Sequence, residues 1–110
     1  MAMAWKSICK QSDLVAGAGV AAMVNGEQVA LFYVPESEHQ VFAIGNWDPL
    51  GKANVLSRGL VAHLQDKWVV ASPLYKQHFE LTSGQCLEET VSVPHFQAKL
   101  ENEQVYLLLP

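Results

Sequence analysis

Asn25-Gly26 stands between two apolar runs, Val20-Ala21-Ala22-Met23-Val24 and Val29-Ala30-Leu31-Phe32-Tyr33-Val34, and no other feature restricts the fold as much. Asn and Gly tolerate the positive φ that both central positions of a tight turn require, so the pair predicts two adjacent antiparallel strands. The rest of the chain keeps the same rhythm. Trp5-Lys6-Ser7-Ile8-Cys9 alternates apolar and polar residues with the period of a strand. Short β-rich stretches recur at 39–44, 59–64, 68–72, 78–81, 91–93, 96–101 and 104–109. Turn chemistry separates them at Pro35-Glu36-Ser37, Asp48-Pro49-Leu50-Gly51, Gln65-Asp66-Lys67 and Ser83-Gly84. This pattern predicts an all-β fold, two small antiparallel sheets packed as a sandwich or barrel. Helix is limited to one turn over Leu14-Val15-Ala16, capped by Ser12-Asp13 and ended by Gly17.

A chain of 110 residues that is 50% hydrophobic and 16% charged is expected to form a single domain over residues 1–110 with one modest core. The net charge of −4, with only seven Lys and Arg, argues against nucleic acid. The longest apolar run, residues 14–24, is too short for the roughly 20 residues of a membrane helix. The N-terminus MAMAWKSICK lacks the pattern of a secretion signal, so a cytoplasmic location is expected. Cys9 and Cys86 match no metal or redox spacing and read as buried thiols.

Several features invite a functional reading and do not sustain it. Gly17-Ala18-Gly19-Val20-Ala21-Ala22 fits the glycine fingerprint of dinucleotide sites, but that fingerprint needs a helix starting within it, and the turn at Asn25 leaves no room for one. His39, His63, His78 and His95 lack ligand spacing, so no metal site is expected. No nucleophile stands in a catalytic frame. Glu88-Glu89 and Glu101/Glu103 read as solvated edges. No catalytic residue is assigned.

Two segments carry more information: Asn46-Trp47-Asp48-Pro49-Leu50-Gly51, and 72–86, which begins Ser72-Pro73-Leu74-Tyr75-Lys76-Gln77-His78-Phe79. Together they resemble the two loops of a Rieske domain, which read C-x-H-x-G and C-P-x-H-x-x-x-F with a later glycine, and which hold a [2Fe–2S] cluster with two Cys and two His. Gly51, Pro73, Phe79 and Gly84 keep the frame. The four ligand positions carry Trp47, Pro49, Ser72 and Tyr75 instead. Tryptophan and proline cannot ligate iron, and serine with tyrosine alone would not hold a two-iron cluster. Read without the resemblance, Ser72-Pro73-Leu74-Tyr75 is equally a plain β-turn with a core tyrosine.

From about residue 4 to 109 the chain is similar to the small subunits of bacterial NADH nitrite reductases, in particular those lacking the cluster ligands. The resemblance implies a Rieske-like fold and no cofactor on this chain. It also implies a large-subunit partner bearing FAD, an iron–sulfur cluster and sirohaem, which reduces nitrite to ammonia with NADH. By analogy with clustered Rieske domains, the loop tip would dock that partner through Trp47, Asp48, Leu50, Tyr75, Lys76 and Gln77. Trp47, Pro49 and Tyr75 would cover the space left by the cluster. A free-standing interaction or assembly module on the same fold is the competing reading. A ferredoxin with unusual ligands is disfavoured for want of a ligand set.

Overall fold

The computed structural model describes residues 2–110. Twelve strands run in chain order as β1 (Ala4–Lys10), β2 (Gly19–Val24), β3 (Glu27–Tyr33), β4 (Val41–Gly45), β5 (Trp47–Asp48), β6 (Ala53–Asn54), β7 (Leu60–Leu64), β8 (Lys67–Ala71), β9 (His78–Glu80), β10 (His95–Phe96), β11 (Ala98–Glu101) and β12 (Gln104–Leu109). Among the described residues the only helical pieces are 3-10 turns at Gln11–Asp13 and Leu56–Arg58. The predicted hairpin is β2–β3, in register from Val24↔Glu27 to Gly19↔Phe32, and its turn places Asn25 at φ 49 and Gly26 at φ 81. Gly17-Ala18-Gly19 leads into β2, with no helix to aim amides at a phosphate.

The strands form three larger sheets and a ribbon, where the sequence predicted two sheets. Their orders are β1-β12-β11, β10-β4-β3-β2 and β7-β8-β9, with β5-β6 apart. The reason lies in the run Val29-Ala30-Leu31-Phe32, buried at every position. Side chains of a strand alternate between faces, so such a run must be covered on both. Ala30 and Phe32 pack with Phe42, Ile44, Val70, Phe79 and Leu81, a core shared with β7-β8-β9. Val29 and Leu31 pack with Val24, Ala43, Leu107 and Leu109, a core shared with β1-β12-β11. The four-stranded sheet is therefore the middle layer of three. Each large side chain sealed there contributes about 1.5–3 kcal/mol.

Other expectations are corrected. The predicted turn over Leu14-Val15-Ala16 lies earlier, at Gln11–Asp13, and Leu14 is extended at φ −102, ψ 153. Asp13 does cap, but backward, accepting the Lys10 N–H at 3.0 Å. The predicted strand 96–101 is two strands in different sheets, β10 on β4 and β11 on β12. Segment 91–93 forms no strand, only a bridge from Ser92 to Gln85. Cys86 is buried as expected, whereas Cys9 is half-buried, its thiol pushed up by burial and then by Asp13.

Candidate functional site

Two loops meet at one end of the molecule. The first, 46–52, leaves β4 and includes β5; the second, 72–77, joins β8 to β9. Pairing of Trp47 with Asn54 and Asp48 with Ala53 makes the first loop a short ribbon whose side chains alternate. Trp47 consequently points outward, 49% exposed, and Asp48 points inward, fully buried.

The Asp48 carboxyl is the centre of the tip. Its Oδ1 accepts the amides of Leu50 at 2.9 Å and Gly51 at 3.0 Å, and its Oδ2 accepts a hydrogen bond from the Ser72 hydroxyl of the other loop. Ser72 is also buried, and its Oγ accepts the Leu74 amide at 3.3 Å. Leu74 lies directly over Gly51, where a methyl group would overlap its Cδ1. The approach of the second loop therefore favours glycine here, since a Cβ would push the end of the Leu74 side chain aside. The frame positions Phe79 and Gly84 hold the base of the second loop: Phe79 is sealed in the core, and Gly84 at φ +76 leaves no room for a Cβ against the Val93 carbonyl.

This arrangement reassigns two sets of residues. Asp48, named from the sequence as a docking contact, is a buried intramolecular cross-link instead. The space between the loops is spanned by Asp48, Ser72 and Leu74, not covered by Trp47, Pro49 and Tyr75; Tyr75 is 64% exposed, so it is not a core tyrosine either. Trp47, Leu74, Tyr75 and Lys76 stand at the surface, with Pro49 and Leu50 half-buried between them. Gln77 is half-buried, and its Oε1 is sealed from solvent with no hydrogen-bond partner.

Sequence reasoning also missed two residues that brace the tip. Buried Asn46 accepts the Ser57 amide on Oδ1 at 2.7 Å and donates to Gln28 at 3.0 Å, tying the 3-10 turn at Leu56–Arg58 to the first loop. Glu88, read as a solvated edge, accepts the His78 amide at 2.8 Å and meets His78 Nδ1 at 2.6 Å. Burial alone would raise the Glu88 carboxyl, but the His78 hydrogen bonds hold it below the usual carboxylate range. An Asp or Asn opening a turn is the one local signal that could have flagged Asp48 and Asn46.

Chemically, the polar side chains that join the two loops are committed to one another. Its one carboxyl is fully engaged in hydrogen bonds, and Ser72, its one buried hydroxyl, is donated to that carboxyl. A Rieske cluster needs two thiolates and two imidazoles. Trp47, Pro49, Ser72 and Tyr75 supply neither, and a loop-to-loop hydrogen bond spans the gap, so these residues do not fit a [2Fe–2S] cluster. No cluster of three or more His, Cys, Asp or Glu suited to a metal ion occurs among the described residues.

Comparison with known proteins agrees with this geometry. The Rieske-like [2Fe-2S] domain family matches residues 4–108. The nitrite reductase (NADH) small subunit of Salmonella typhimurium is 50% identical over 104 residues, 94% of this chain and 95% of its own. The solution structure of the Escherichia coli protein NirD superposes with a TM-score of 0.86 at 46% identity, covering 97% of each chain. A nitrite reductase [NAD(P)H] large subunit of Klebsiella oxytoca is 38% identical over 104 residues, which make up 11% of that longer protein. On sequence, fold and the altered loop tip together, the chain belongs to the Rieske-like [2Fe-2S] domain family and, within it, to the small subunits of NADH nitrite reductases.

Proposed function

We propose that this chain is a cytoplasmic, cluster-less accessory subunit of NADH nitrite reductase, supporting reduction of nitrite to ammonia by binding a large subunit that carries FAD, an iron–sulfur cluster and sirohaem. The observation that carries the accessory role is the tip. The residues at the ligand positions do not fit iron, and the Asp48–Ser72 hydrogen bond gives the two loops a link of another kind. A relative of this chain within the Klebsiella large subunit supports the partner, since a domain joined covalently to a protein works beside it.

The docking face comprises Trp47, Leu50, Tyr75, Lys76 and Gln77. Exposed aromatics grouped in a compact patch are effective anchors, and Trp47 and Tyr75 are 49% and 64% exposed. The test is reconstitution of NADH-dependent nitrite reduction by purified large subunit with and without this chain, recording the chain's iron content and visible spectrum. Higher or longer-lived activity with a colourless, iron-free chain is expected, and Trp47→Ala with Tyr75→Ala should abolish the gain. Stoichiometric iron would refute the cluster-less reading. Failure to associate would turn the assignment toward a free-standing interaction module.

A further inference from the structure

Charge is unevenly distributed over this acidic molecule. Segments 46–60 and 71–77 contain three of its seven Lys and Arg, namely Lys52, Arg58 and Lys76, but only one of its eleven acidic residues, Asp48. Because Asp48 is buried and hydrogen-bonded, the exposed charges of these two segments are cations alone, while the net charge of the chain is −4 and the carboxylate at the exit of the second loop, Glu88, is engaged by His78. The ion pairs among the described residues are His78–Glu88 and Lys99–Glu101, so none of the three tip cations has an acidic partner within the chain. Lys52 and Lys76 are both held at positive φ, 57 and 62, and both are exposed.

Arg58 and Lys76 flank a cleft of about 440 Å³ between the second loop and the start of β7. Its floor and wall are apolar, formed by Ala71, Pro73 and Leu60, and Leu60 is 77% exposed. His78 borders the cleft, but its Nδ1 is engaged by Glu88. Two unpaired cations over an apolar floor suit carboxylate side chains next to an aliphatic or aromatic one. A polyanion such as nucleic acid suits the site poorly, because ten of the eleven acidic residues lie elsewhere on the same small surface and would repel it.

Building on the docking face proposed above, we infer that the Arg58–Lys76 cleft receives an acidic segment of the large subunit, Asp or Glu beside an apolar residue, and that this contact steers association. The test measures association and dissociation rates with purified large subunit at about 20 and about 300 mM salt. Arg58→Glu with Lys76→Glu should slow association about tenfold or more at low salt, change dissociation less, and lose most of its effect at high salt. Lys10→Glu with Lys67→Glu changes net charge equally but away from the tip, and should alter association by no more than about twofold. If the two double reversals slow association alike, the acidic-segment inference is overturned. If Trp47→Ala with Tyr75→Ala abolishes binding while the Arg58/Lys76 reversal does nothing, the docking face stands and this inference alone fails. If neither pair matters, the docking face itself is wrong.

Discussion

The two loops of the tip close in the same way and are held in place differently. In each, the amide of a lysine at positive φ bonds the carbonyl four residues earlier, Lys52 to Asp48 at 2.7 Å and Lys76 to Ser72 at 3.0 Å. The first loop then supplies its own internal support, because the Asp48 carboxyl takes the amides of Leu50 and Gly51. The second has a weaker group of its own, the Ser72 hydroxyl, which takes the Leu74 amide alone at 3.3 Å. Its Ser72 hydroxyl is anchored on the first loop's carboxyl, Leu74 rests on the first loop's glycine, and its exit is fastened to Glu88. In a clustered Rieske domain metal ligation would join the loops symmetrically. Here one loop is a platform and the other leans on it, and the exposed Tyr75 and Lys76 belong to the leaning loop.

The strongest way to break this relation is to remove the platform's carboxyl. Asp48→Ala strips acceptors from two amides and one hydroxyl in a buried site, and should destabilise the protein by about 3 kcal/mol or more in denaturant unfolding. Both loops should lose amide exchange protection together. Ser72→Ala removes the bridge and the acceptor of the Leu74 amide, and should cost about 1–2 kcal/mol, with protection lost from the second loop while the Leu50 and Gly51 amides stay protected. Equal loss from both loops after Ser72→Ala would show that neither is the platform.

A smaller effect sharpens the contact between them. Gly51→Ala pushes against Leu74, the flexible end of a half-exposed side chain, so the expected cost is about 1–2 kcal/mol. Adding Leu74→Ala should recover most of that loss, and the coupling read from the double-mutant cycle measures how far the second loop presses on the first. Absence of coupling would mean that the loops meet only through Asp48 and Ser72.

What the sequence disclosed follows the same division between local and remote causes. The β2–β3 hairpin was legible because Asn25-Gly26 acts within four residues. Most strands were legible from period-2 patterning, but their sheet was not: 96–101 reads as one strand, yet its two halves pair with β4 and β12. Val29-Ala30-Leu31-Phe32 was legible as a strand, whereas the third sheet that covers its second face is remote in the chain. At the tip, Gly51, Pro73, Phe79 and Gly84 located the loops. The role of Asp48 was not legible, because its hydrogen-bond partner Ser72 lies 24 residues on and nothing in Trp47-Asp48-Pro49 says which side chain turns inward.

The smallest expected effect concerns the far end of the leaning loop. Glu88 accepts the His78 amide where the second loop enters β9, and its carboxyl lies below its ordinary value of 4.5. The unfolded chain therefore takes up this proton more readily than the folded one. The resulting stabilisation is complete above the usual carboxylate range and is lost as pH falls through 4.5 and then through the lower folded value. Because both side chains are partly exposed, at 28% for His78 and 45% for Glu88, solvent screening limits the loss from Glu88→Gln to about 1 kcal/mol at neutral pH. Thermal unfolding of the wild type and Glu88→Gln should converge as the pH falls below the usual carboxylate range. A gap that persisted undiminished in acid would mean that Glu88 holds the exit of the second loop through packing rather than charge.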